Sequence, residues 1–320
     1  MSIKLGRQFQ MTIYPTQYRQ SGTQSFGQPI TFTQAQGQPI RIQNPFTLMF
    51  NVTRTNMAPA NAGSFQIYNL NPTTRGQLYY DYYARWGLKR ITLNAGYASQ
   101  GSLPCIFDGG IQSCSSYRKQ GMVNYITDIE ADNWSFPTYN AYTSKNFSGQ
   151  VPKQNVVDQL VKDVCAMGPP GGQVRRGYIH QYTGITQWYP VISGNSWERL
   201  RTETDGACFI DNGMVNILGN DEYIPGSSFT IEADTGLLGS PKRYQDKVVI
   251  EMLFEPSLII GQVVTLNSVA EPTFNGQYQV YSINHAGIIS DAIGGKCQTT
   301  LSLFNLQKNA NLISLSESTV

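Results

Sequence analysis

No Asp or Glu occurs among the first 80 residues of this 320-residue chain; the first acid is Asp81. The same stretch holds Lys4, Arg7, Arg19, Arg41, Arg54 and Arg75, a charge of +6, whereas the whole chain carries only +2. The remainder is therefore acidic, at −4. Such asymmetry points to a partner of opposite sign, either a nucleic acid or an acidic neighbouring subunit. Six charges without a Lys/Arg cluster are too dilute for a nucleic-acid arm, which leaves a protein contact surface. Arg41, Arg54 and Arg75 are the candidates for that contact.

Charge of either sign is scarce, at 14% of residues against ~25% in ordinary soluble domains. With 40% hydrophobic and 12% aromatic residues, intrinsic disorder is excluded, because disorder needs low hydrophobicity and high net charge. Gln, Asn, Ser and Thr replace the missing charges, as on the exposed faces of β-strands. No apolar run reaches the ~18 residues that mark a membrane span. The most apolar stretch, Val248 to Val264, is interrupted by Glu251, Glu255 and Pro256, so stable membrane insertion is not expected. The opening Met1–Arg7 has no apolar core, and no secretory signal is expected there. Five cysteines (Cys105, Cys114, Cys165, Cys208, Cys297) form no CxxC pair. They fit neither a zinc module nor a disulfide framework and read as reduced, mostly buried apolar residues made in a cytosol.

Catalytic constellations are missing as well. The only histidines are His180 and His285, neither within a metal-ligand spacing, and His285 reads as a structural hydrogen-bonder. GxSxG, HExxH, P-loop and strand-borne GxGxxG patterns are absent, which removes the usual signatures of acyl transfer, zinc hydrolysis and nucleotide binding. Gly168–Gly172 contains two prolines and follows a helix, so it cannot present consecutive N–H groups to a phosphate. Glu130 with Asp132, or Glu198 with Glu203, could supply the two carboxylates of a glycosidase, but nothing else marks either pair. The 19 Tyr and 14 Phe are not interleaved with basic residues, as a nucleic-acid platform requires. No catalytic residue, cofactor or metal is expected.

What is present is strand patterning at both ends. Gln8–Tyr14, Gln28–Thr33, Gln38–Ile42 and Thr47–Arg54 alternate with a period of two, and Gln17–Gln28 reads as a loop or long hairpin tip. A helix starts at Asn71–Pro72, with Leu78, Tyr79, Tyr82 and Tyr83 on its apolar face, and ends at Gly87. Strands follow over Arg90–Tyr97, Pro104–Ile111 and Met122–Ala131, with Asp108-Gly109 as a tight turn. A helix over Pro152–Met167 buries Val156, Val157, Leu160, Val161 and Val164. A second, capped by Ser196, turns Trp197, Leu200 and Thr204 inward onto the first. Ala207–Leu218 is a hairpin about Asp211-Asn212-Gly213. Strands return over Phe229–Ala233, Lys247–Phe254, Gln262–Leu266, Gly276–Ile283 and Cys297–Phe304. The expected fold is mainly β with a small α/β insertion: a first tube-like β-barrel or sandwich domain over 1–150, a small α/β domain over 151–220, and a second tube-like β-domain over 221–320.

In sequence order, several segments resemble the baseplate hub proteins of contractile-tailed bacteriophages. They are Glu255-Pro256-Ser257-Leu258-Ile259-Ile260-Gly261-Gln262-Val263-Val264-Thr265-Leu266, then Asn275–Val280, then Ile283-Asn284-His285-Ala286-Gly287, then Thr299–Leu303. Ile231–Pro241 is similar to the loop before that block, and Leu103–Ala131 to the strand pair that ends the first tube domain. One departure is Ile288, where the family has an acid; Asp291 stands three residues on. The resemblance implies a structural, non-enzymatic virion protein of the tail baseplate, synthesised in the host cytoplasm. It implies a homotrimer whose six tube-like domains adapt the tail tube protein to the central spike protein. Other baseplate proteins surround it, and phage DNA passes through its channel on genome ejection. The alternatives are a distal tail or tube-initiator protein and a peptidoglycan-degrading tail enzyme.

Overall fold

The computed structural model describes every residue except 1–5, 20–31, 35–36, 58–60, 80–86, 148, 168–173, 186–190, 220–221, 227, 245–246 and 306–320. The first part of the chain lays down β1 (Arg7–Ile13), β2 (Gln17–Arg19), β3 (Phe32–Gln34), β4 (Ile40–Gln43), β5 (Leu48–Thr55) and β6 (Ala62–Tyr68). Helix α1 (Pro72–Leu78) precedes β7 (Gly87–Leu88), β8 (Arg90–Tyr97), β9 (Cys105–Arg118) and β10 (Tyr125–Asp132). The middle contains α2 (Ser135–Asn140), β11 (Tyr142–Asn146), α3 (Lys153–Ala166), β12 (Arg175–Ile179), β13 (Val191–Asn195), α4 (Ser196–Glu203), β14 (Cys208–Asp211) and β15 (Met214–Ile217). The last part supplies β16 (Phe229–Ile231), β17 (Leu237–Tyr244), β18 (Lys247–Leu253), β19 (Val263–Leu266), β20 (Gly276–Ile289) and β21 (Cys297–Asn305).

The architecture is mainly β, and both β-rich parts share one 13-stranded sheet in the order β17-β18-β21-β20-β5-β6-β10-β9-β8-β1-β4, with β19 and β16 branching from β20. The join is the antiparallel pairing of β20 with β5, from Ser282 opposite Thr55 to Ile289 opposite Leu48. The sheet is open rather than a closed barrel: among the described residues, β4 pairs only with β1 and β17 only with β18. Alternation dictates the two faces. Leu48, Phe50 and Val52 of β5, and Val280, Ile283 and Ile289 of β20, are buried on one side, with polar Asn51, Thr53 and Asn284, and also Met49 and Ile288, on the other.

Three apolar clusters underlie the fold. The first gathers β1, β4, β5, β6 and β8 to β10 and borrows Phe254, Ile289 and Cys297 from the far end of the chain. The second lies between α3, α4 and strands β12 to β15. The third fills the space under β16 to β21 and includes Phe209 and Leu218 from the middle segment.

Local signals explain most element boundaries. The Asn71 side chain accepts from the Thr74 N–H at 2.8 Å, and Pro72 opens α1. That helix stops at Leu78, so Tyr79 is 63% exposed rather than on an apolar face; Tyr82 and Tyr83 lie outside the described residues, as do most of Gln28–Thr33 and all of Gly168–Gly172. Helix α4 is capped by Asn195, whose oxygen accepts from the Glu198 N–H at 3.0 Å, and not by Ser196, which is the first helical residue. Asn212 (φ 46°) and Gly213 (φ 73°) form the two-residue β14–β15 turn, with the positive φ at both positions that a type I′ turn requires.

Asp108-Gly109 is not a turn. Both residues sit inside β9, opposite Thr92 and Ile91 of β8. The glycine is needed because a Cβ there would strike the Asp132 carbonyl, and the aspartate because its carboxylate receives Arg90 Nε at 2.9 Å and Nη2 at 2.7 Å. A turn dipeptide here serves close strand packing and an ion pair. The β6 and β17 strands, rich in Gly, Ser, Gln and Lys, have no apolar alternation strong enough to announce them.

Trp197 and Leu200 of α4 are buried, at 3% and 0% exposure, in the same cluster as Val156, Leu160 and Val164 of α3. Leu200→Ala is expected to lower unfolding free energy by about 2–4 kcal/mol, the range for a fully buried leucine. An unchanged urea midpoint would contradict this packing.

Candidate functional site

The three arginines proposed as contact residues lie in three different settings. Arg41 is exposed on the edge strand β4. Arg75 of α1 is half-buried, its guanidinium 3.7 Å above the Tyr125 ring at the start of β10, an arrangement that stabilises through cation–π attraction. Arg54 is only 1% exposed and so cannot reach another subunit. Its expected role as a surface contact is corrected by its position on the core-facing side of β5, in line with Phe50 and Val52.

Arg54 is instead the centre of the junction between the three clusters. Its Nη2 donates to the Leu258 carbonyl at 2.8 Å, and Nη1 faces both Asp211 carboxylate oxygens at 3.4 and 3.5 Å. Thus β5 of the first part, β14 of the middle and the segment after β18 meet on one guanidinium. Arg is suited to this, being planar, always charged and able to donate in several directions. Asn61 Nδ2 donates to the Ile210 carbonyl at 3.3 Å, and Asn212 Nδ2 to the Cys105 carbonyl at 3.1 Å. The Asn133 amide, with its nitrogen toward the Asp108 carbonyl and its oxygen toward the Asn212 N–H, is 3.1 Å from each. The β14–β15 hairpin is therefore held by amides from both sides, Asn61 and Asn133 reaching it and its own Asn212 reaching back.

Close by, His285 is fully buried, with Nδ1 2.9 Å from Thr299 Oγ1 and its ring 5.4 Å, edge-on, from Phe254. Burial, reinforced by the neighbouring Arg54 charge, drives its pKa well below the ordinary histidine value. It is a neutral structural hydrogen-bonder in an apolar setting. His180 pairs with Glu222 at 2.7 Å. Partial burial raises the Glu222 pKa, but the Gly219 N–H and His180 outweigh it and hold that carboxyl below its usual range. Burial lifts the Cys114, Cys208 and Cys297 thiols to about 11, so they stay protonated and unreactive at neutral pH. Asp132 accepts from the Ser135 N–H at 3.3 Å and from Gln112 Nε2 at 2.6 Å, while Glu130 is exposed on the sheet. The two do not converge on a cleft.

The broadest feature is the non-core face of the large sheet. Register places Glu251, Thr300, Asn284 and Thr53 in one row across β18, β21, β20 and β5. The adjoining row runs Gln298, Ala286, Asn51, Ser64, Glu130 and Ser113. Asn284 Nδ2 donates to Asn51 Oδ1 at 2.7 Å and Thr53 Oγ1 at 2.9 Å, bonding the two β-parts across the join. The face is largely polar and mostly uncharged, with Asp128, Glu130 and Glu251 as carboxylates and with Leu253, Val249, Met49 and Ile288 as its apolar members. Lys247 is held at one side over the Tyr281 ring, at 3.7 Å.

A family model described as "Baseplate hub gp41" matches residues 29–286. No curated protein sequence matches the chain. Among solved structures, the fold is similar to a tail protein from Neisseria meningitidis MC58, with TM-score 0.54, 10% identity, and coverage of 94% of this chain and 97% of that one. It is also similar to the 43 kDa tail protein of prophage MuSo2 from Shewanella oneidensis, with TM-score 0.52, 10% identity, and coverage of 83% and 94%. A chain of the half-lidded Francisella PdpA–VgrG complex is similar at TM-score 0.54 and 7% identity, over 96% of this chain and 59% of that one. The chain belongs to the baseplate hub gp41 family, a structural component of the phage tail.

Removing Arg54 leaves Asp211 buried and uncompensated, so Arg54→Ala is expected to cost about 3–5 kcal/mol, whereas Arg41→Ala should stay within ~0.5 kcal/mol. Urea titration of both variants checks the contrast, and equal losses would refute it. The depressed His285 pKa gives a second expectation. The unfolded imidazole takes a proton near pH 6.5 and the folded one does not, so stability falls as pH drops below about 6.5 and the loss ends only below the folded-state pKa. Between pH 7.5 and 5, His285→Gln should lose less of its own stability than the parent protein loses; identical slopes would show that another group controls the decline.

Proposed function

We propose that the chain is the subunit of a homotrimeric hub, joining the tail tube protein on one side to the central spike protein on the other, with phage DNA passing through the middle and other baseplate proteins outside. The observation that carries this reading is the single sheet that spans both β-rich parts and exposes a largely polar face with few charges. In a threefold ring, regions 1–150 and 221–320 of each chain act as alternating segments, six in all, while 151–220 lies outside them. The likeness to tail proteins and to a chain of the PdpA–VgrG complex supports that setting.

The polar face turns toward the channel in this arrangement. Non-specific adhesion to DNA comes from cations that neutralise phosphates. The central rows are amides, hydroxyls and three carboxylates, and the cations Lys247 and Arg41 stand at the margins, so the backbone finds little to hold and DNA passes without being retained. The outer strands show how copies meet. Edge strand β4 carries exposed Arg41, and β17 carries Pro241 with exposed Lys242 and Arg243, features that discourage strand-to-strand pairing. Direct β4–β17 pairing between copies would also set like charges together. Each edge therefore contacts an acidic surface through side chains, and individual exposed pairs add only ~0–1 kcal/mol.

Sedimentation and electron microscopy of the purified chain test the ring. Threefold particles of three times the chain mass are expected, with Arg41→Glu raising the concentration needed for assembly and leaving the melting temperature unchanged. A monomer at high concentration, alone and with tail partners, would overturn the reading.

A further inference from the structure

We propose that the cavity in front of Lys89 is a carboxylate-binding site, where a ligand's carboxylate becomes the counter-ion of a buried ammonium. Lys89 lies between β7 and β8 and is only 7% exposed. Its Nζ donates at 2.8 Å to the Gln77 carbonyl in the last turn of α1. An ammonium has three donors, so capacity remains beyond this bond. Among the described residues, no carboxylate pairs with it. Asp108, which pairs with Arg90 on the other face of β8, is engaged on both oxygens. Burial lowers the lysine pKa, and the Cys114 thiol offsets this only in part.

The cavity holds about 250 Å³ and is walled by Tyr14, Pro15, Gly37, Gln38, Gln77 and Lys89. Arg90 sits 4.8 Å over the Tyr14 ring and braces that wall. Every wall residue except Lys89 comes from the first 80 residues, the stretch without a single Asp or Glu. The wall therefore cannot furnish the missing charge, and a buried, unpaired ammonium is costly. A carboxylate entering from outside satisfies both remaining donors and removes that cost. The same chemistry is available from a free carboxylate or from an Asp or Glu side chain of another polypeptide. The assignment does not depend on the ring reading.

Two measurements test it, with acetate as the probe. The first is thermal unfolding in sodium acetate against sodium chloride at equal ionic strength and pH, for the parent chain and Lys89→Gln, which keeps a donor for the Gln77 carbonyl but has no charge. Acetate should raise the parent Tm in a saturable way, by about 2–6 °C once it exceeds its Kd about tenfold, and leave Lys89→Gln unmoved. The second is acylation of Lys89 by acetic anhydride, read by mass spectrometry, in the dilute chain, in the dilute chain with acetate, and in concentrated chain in chloride. Protection by acetate alone identifies a free carboxylate as the ligand; protection also in the concentrated chain identifies a carboxylate from a second copy. Should Lys89→Gln fail to fold, acetate protection in the parent chain decides. Equal Tm responses of parent and variant, or Lys89 acylation indifferent to acetate, would overturn the site.

Discussion

The Arg54 guanidinium stands where the three apolar clusters meet, and the relation between the parts of the molecule depends on it. Each cluster is a layer of strand or helix faces that could form with local partners, but Leu258, Asp211 and β5 come from different stretches of chain. A guanidinium buried among them needs all its partners at once. Desolvation sets the penalty for any arrangement that leaves a part undocked. The bond distances rank the contacts: the 2.8 Å bond to the Leu258 carbonyl is tighter than the 3.4–3.5 Å approach to Asp211. The amides of Asn61, Asn133 and Asn212 complete the junction with neutral bonds, so its specificity rests on geometry as well as charge.

The sheet and the junction perform separate tasks. Apolar alternation on β5 and β20 gives adhesion on the inner side, while the outer side of the same strands provides Asn51, Thr53 and Asn284 for bonding across the join. Amide and hydroxyl rungs keep these strands together on the outer face where other sheets use ion pairs. The low charge of the chain and its wealth of Asn, Gln, Ser and Thr are in keeping with such rungs.

How far the sequence reveals this depends on the range of the interaction. Periodicity identifies α3 and α4 with their inward faces, and the Asn212-Gly213 turn, because those signals are carried by neighbours in sequence. It shows β1, β5, β8, β18 and β21 for the same reason. It misplaces Asp108-Gly109, whose turn-forming chemistry is overridden by Arg90 and the Asp132 backbone; its alternation puts Arg54 in phase with Phe50 and Val52, but it has no means of showing the buried partner, because Asp211 lies 157 positions away. The carboxylate site is legible only by combining the two levels: the acid-free stretch is plain in the sequence, but that it walls a cavity around Lys89 is plain only in the fold.

The join between β5 and β20 also orders events in time. Asn51 and Asn284 are 233 positions apart, so during synthesis the edge of β5 is made long before the strand that covers it. Contacts of such sequence separation form late, because closing the intervening loop costs chain entropy first. Until β20 arrives, the nascent chain exposes a row of unpaired backbone donors and acceptors flanked by Phe50 and Val52, the kind of surface that captures other chains. Asn51 and Thr53 lie on that edge's polar side, so the residues that later bond the halves of the sheet together must first wait for a partner made 233 positions beyond Asn51.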